Sequence, residues 1–151
     1  MHHLTRIVAL PLCALVFIAC GGDAEPDANG DEPSNGLTAF EEEHGIGPFT
    51  VAVTLEDPID PEKAEMGQHV FEANCEACHM LDESFVGPEL GTVLDRRSPT
   101  FVLNMIMNPE EMTRRHPVVQ EMLREYPLIM PYQNISEEEA LAILEYLRTV
   151  H

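Results

Sequence analysis

Cys75-Glu76-Ala77-Cys78-His79 constrains this chain more than any other stretch of it. Two thiols three positions apart lie about one helical turn from each other, and an imidazole follows at once. Whatever they serve must be reached by both sulfurs and the ring together. A zinc site needs four ligands, usually from a second cysteine pair. The only other cysteines are Cys13 and Cys20, close to the N-terminus. A thioredoxin-type site follows a strand, whereas this run follows a helical pattern and lacks flanking Trp, Gly and Pro. A structural disulfide leaves His79 without a role.

Cys-x-x-Cys-His is the attachment sequence of a c-type haem. The thiol spacing matches two vinyl groups along one side of a porphyrin, where thioether bonds hold the group covalently. His79 then projects towards the iron. One covalent haem c per chain is the expected cofactor.

Charge narrows the partners. With 27 acidic and 8 basic residues the chain carries a formal charge of −19. That argues against nucleic acid, whose phosphates attract Lys and Arg, and against adsorption to anionic lipid. The N-terminus indicates another route to a membrane. His2, His3 and Arg6 precede an apolar run from Ile7 to Ala19, shorter than the about 20 residues a spanning helix needs. Phe17-Ile18-Ala19-Cys20 resembles the lipobox of bacterial lipoproteins, with Phe17 in place of the usual Leu or Val. Residues 1–19 are therefore expected to be a signal peptide and Cys20 the lipidated first residue of the mature chain. The run 20–43 holds eight acidic residues and no basic one, without apolar periodicity, and reads as a disordered tether. The folded domain is placed at 44–151.

That domain is expected to be all-α. Asp60-Pro61 and Ser98-Pro99 each pair an N-cap acceptor with proline at the first helical position, opening helices to about Ala73 and Met107. Asn108-Pro109 opens a third helix, and Pro117 kinks it or starts a new one over 117–126. Ser136 and Glu139 form a capping box before the apolar stripe Leu141, Ile143, Leu144, Leu147 and Val150. Pro127 and Pro131 keep the preceding stretch in a loop. Val51–Leu55 reads as an extended segment packed along the domain. The region from Met105 to Tyr126 reads as an ordinary helical surface segment, with cover for the haem edge or a docking site around Arg114-Arg115-His116 as the alternatives. His44, His69, His116 and His151 are expected at the surface.

Gly67, Phe71, Cys75, Cys78 and His79, then Gly87-Pro88-Glu89-Leu90, then Met130-Pro131 and a final helix bearing Tyr146, together resemble a class I cytochrome c. His44-Gly-Ile-Gly-Pro48, Arg96-Arg97 and Asn108-Pro-Glu-Glu-Met112 are similar to small monohaem cytochromes associated with bacterial nitrous oxide reductases or terminal oxidases. The resemblance implies a helical fold wrapped around one haem. Gly67 would let the first and last helices cross closely, with Phe71 and Tyr146 packed there. The Pro88 carbonyl would accept the Nδ1–H of His79, and Leu90 would line the haem. Arg96 or Arg97 would pair with a propionate, or both would sit in a solvated turn.

The sixth iron ligand decides the function. Iron bound by His alone keeps an open position, whereas a thioether closes it and favours the reduced metal. Met66, Met105, Met107, Met112 and Met122 lie at helix positions suited to core filling. Met80 directly follows His79 and cannot reach the opposite face. Met130 lies in the proline-bounded loop where the family's distal Met is found, with Met112, His116 and Met107 as the other candidates. The resulting expectation is an electron carrier rather than an enzyme in its own right. It would face the periplasm from a lipid anchor, between partners such as a quinol-oxidising complex and a terminal oxidase or nitrous oxide reductase. The competing readings are a five-coordinate gas- or peroxide-binding haem and a fixed subunit of a respiratory complex.

Overall fold

A computed structural model of the chain describes residues 36–150. The expected signal peptide, Cys20, tether residues 20–35 and His151 lie outside them. The described residues form helices and no strand. In chain order these are α1 Ala39–His44, α2 Pro61–Asn74, α3 Val93–Arg96, α4 Pro99–Met107, α5 Pro109–Arg115, α6 Pro117–Met122 and α7 Glu137–Thr149. The all-α expectation holds. No helix among the described residues is long and apolar enough to cross a membrane.

The frame is the crossing of α2 and α7, the most extensive helix pair. Both helices start where their caps put them. Asp60 Oδ1 accepts from the N–H groups of Glu62 and Lys63 at 3.0 and 3.1 Å. The Ser136 hydroxyl accepts from Glu139 N–H while the Glu139 carboxylate takes Ser136 N–H. The axes come close because residue 67 is glycine: a Cβ there would stand 1.8 Å from the Ala142 carbonyl oxygen. Beside this contact the Phe71 and Tyr146 rings pack tilted, 5.5 Å between centroids. Phe71, Leu103, Ile143, Leu144 and Leu147 form the centre of the main core.

The segment before α2 is non-helical, packs along the domain as expected, and is strapped down. Val53 N–H bonds Thr100 Oγ1 at 2.7 Å. Glu145, itself buried, accepts Asp60 N–H at 2.7 Å. Arg148 spans Glu145, the Glu56 carbonyl and Asp57. Burying one charged pair this way is tolerated because the surrounding donors and acceptors are all matched.

Three expectations need correction. The domain does not begin at 44. Thr38 and Glu41 form a reciprocal capping box that starts α1, and Leu37 is buried. Leu37 and Ile46 join Phe101, Met112 and Val119 in a second apolar cluster on the far side of α4. His116 is not at the surface but 1% exposed. The helix expected over 117–126 is shorter: the prolines after Asn108 and His116 break the Met105–Tyr126 region, as expected, into the end of α4, then α5 and α6. The last of these stops at Met122, short of the expected 126. Asn104, fully buried, ties the N-terminal segment to α4: Nδ2 donates to the carbonyls of His44 and Phe49, both at 3.0 Å, and Oδ1 accepts Phe49 N–H at 3.0 Å.

Candidate functional site

The end of α2 places the thiols. The chain leaves the helix at Cys75, whose N–H still bonds Phe71 O at 2.7 Å, and turns tightly. Cys78 N–H and His79 N–H both reach back to Cys75 O, at 3.0 and 2.9 Å. Three further backbone bonds run from Gly87 to Cys78, Leu90 to Met80 and Gly91 to Leu81, laying the 86–91 loop beside the motif. This brings the Pro88 carbonyl 2.8 Å from His79 Nδ1. The ring therefore carries its proton on Nδ1, leaving Nε2 as the free lone pair. Glycine at 87 makes room, since a Cβ there would stand 2.4 Å from His79 Cε1.

Cys75, Cys78, His79 and Met130 all line one cavity of about 350 Å³, within the range of cofactor sites. Its walls are mostly apolar, including Leu90, Phe101, Val102 and Ile143. Both cysteines are free. Burial, and secondarily the neighbouring Cys78, pushes the Cys75 thiol up to about 11, so it is protonated at neutral pH rather than a ready metal ligand. Among the described residues no cluster of His, Cys, Asp and Glu is arranged to hold a metal ion. Two paired thiols, an oriented imidazole and a thioether around an apolar slot fit a covalently held porphyrin.

The two arginines separate. Arg96 is bound to the Glu89 carboxylate and donates to the Glu89 carbonyl at 2.9 Å. Burial raises the Glu89 pKa, but the Thr92 N–H, the Thr92 hydroxyl and Arg96 outweigh it, and the net shift is downward. Arg97 lies over the Phe101 ring at 5.3 Å and donates to Arg96 O. Both line the cavity. Sequence reasoning missed part of the wall: Val119, Met122 and Leu123 also line it. Their i, i+3, i+4 spacing after Pro117 was the available signal.

The site and fold define a helical domain built around a covalently bound prosthetic group. The cytochrome c family model matches residues 64–151, and the chain belongs to that family. Its cofactor is haem c, bonded through Cys75 and Cys78. A solved cytochrome c from Rhodothermus marinus is 44% identical, with a TM-score of 0.69 over 73% of this chain and 94% of that one. An engineered form of that protein, solved with a bound carbene intermediate, is likewise 44% identical, with a TM-score of 0.66 over 73% of this chain and 95% of that one. A cytochrome c-553-like protein from Synechocystis sp. is 32% identical over 62 residues, which are 39% of this chain and 59% of that protein.

Proposed function

We propose that the protein is a class I monohaem electron carrier in which His79 and Met130 would hold the haem iron. Bound haem supplies a one-electron change between ferric and ferrous iron. The rest is the work of the polypeptide. The observation that carries the reading is the shared cavity: the His79 ring, oriented by Pro88, and the Met130 side chain both line it. Oriented ligands and apolar walls keep rearrangement small when the charge changes, which suits electron transfer without a substrate pocket.

Donor and acceptor would meet the protein at the mouth of the cavity. Leu128 lines it, and Phe85, Ile129 and Tyr132 adjoin lining residues, with exposures between 55% and 60%. A hydrogen bond of 2.9 Å between the Ser84 and Tyr126 hydroxyls joins the two loops that carry them. An apolar face on a chain of charge −19 fits membrane-associated redox partners with basic rims. The lipid on Cys20 and a periplasm-facing location complete the proposal.

A second reading has one observation in its favour. The engineered relative was solved with a carbene intermediate bound, so a ligand-accepting haem is the competing function. Adding carbon monoxide to the reduced protein separates the two. An unchanged absorption spectrum is expected of the carrier, and ready binding would overturn it.

A further inference from the structure

We propose that His116 is a pH-sensitive clasp, holding the N-terminal arm (residues 37–49) on α4, α5 and α6 while its ring is neutral and loosening it on protonation. The ring sits at the corner between α5 and α6, 1% exposed. Its Nε2 lies 3.1 Å from the Glu41 carbonyl and 3.2 Å from the Glu42 carbonyl, in the last turn of α1. Acceptors alone face Nε2, so that nitrogen carries the hydrogen. Nδ1 is buried with no partner. The ring stands edge-on to Phe101, 5.1 Å between centroids.

Protonation puts a second N–H on Nδ1, where no acceptor waits, and a charge where water is excluded. The charged groups around it do not cancel that cost. Arg97, from the turn before α4, repels the cation, while Glu42 on α1 attracts it. Arg115 on α5 faces Glu41 at 3.9 Å. Burial is the largest influence and holds the His116 pKa below its ordinary 6.5, against the pull of the two carbonyls.

The sign follows. With the arm undocked, His116 regains its ordinary pKa, so the undocked state binds more protons as pH falls. Docking is at full strength above about pH 6.5 and weakens as pH falls towards the lowered docked value, by at most tenfold per pH unit for one proton. The arm contacts from Asn104 and from Ile46 N–H to Met112 Sδ at 3.1 Å carry no ionisable group. Two others do: His44 Nδ1 lies 2.8 Å from Ser98 Oγ, and Glu41 faces Arg115, so a comparison with His116→Gln is what separates His116 from them. Loosening the arm withdraws Leu37 and Ile46 from Phe101 and Val119, both of which also line the haem cavity.

The test uses the haem-loaded full chain. Hydrogen-exchange protection factors of the Ile46 and Phe49 amides are compared at about pH 7.5 and about pH 5, the span over which histidine titrates. Protection in the arm is expected to fall severalfold while amides of α7 keep theirs. His116→Gln retains an N–H for the carbonyls and cannot be protonated, so its arm protection is expected to stay flat. Unchanged protection in the natural protein, an equal loss in α7, or a parallel loss in His116→Gln would overturn the proposal. If that variant does not fold, the imidazole NMR titration of the natural protein decides. Its midpoint is expected to coincide with the loss of arm protection, and a ring that titrates while the arm stays protected refutes the clasp.

Discussion

Two glycines next to the haem scaffold carry sharp consequences. Gly67→Ala drives a methyl into the Ala142 carbonyl, a backbone atom that a rotamer change cannot move aside. Overpacking of this kind costs about 1–3 kcal/mol or more. The midpoint of denaturant unfolding is expected to fall accordingly, and an unchanged midpoint would mean that the helices do not cross this tightly. Gly87→Ala acts on the His79 ring instead, pushing it off the Pro88 carbonyl. The Nδ1–H bond raises the basicity of the imidazole, which favours ferric iron. Weakening it is expected to raise the reduction potential in a spectroelectrochemical titration. A lowered potential would place the iron ligand elsewhere.

Helix starts illustrate what short stretches of sequence disclose. Asp60-Pro61, Ser98-Pro99 and Ser136 with Glu139 are local devices, complete within four residues, and each opens a helix where its pattern places it. Ser136→Ala is expected to lower unfolding stability by about 1 kcal/mol, readable as a drop in melting temperature. Hydrogen bonds from the Ser136 backbone and hydroxyl hold Glu139 below its ordinary 4.5. That part of the cap is therefore present above this value and is lost as pH falls through the lowered folded pKa. The same box at Thr38 and Glu41 was hidden from sequence reading by the acidic run around it. What holds α1 in place is burial of Leu37 and a contact from His116, more than seventy positions away. Nothing local announces that. His116 was misread for the same reason, and Arg96 gave no sign that Glu89 would pair with it. The covalent motif and its proximal loop were legible because both are short-range.

Across the molecule, 27 acidic residues outnumber 8 basic ones, and the cavity itself is mostly apolar. Electron transfer with a cationic redox protein is expected to slow steeply as ionic strength rises, while transfer with a small uncharged reagent stays nearly constant. Stopped-flow rates over a salt series provide the check, and a salt-independent rate with the cationic protein would remove electrostatic steering from the account. Everything functional then converges on which sulfur faces the iron. The oxidised protein should show the charge-transfer band of a methionine–iron bond in the red, absent from Met130→Ala and retained in Met107→Ala. A band that survives Met130→Ala, or one missing from the unaltered protein, contradicts the closed haem on which the electron-carrier reading stands.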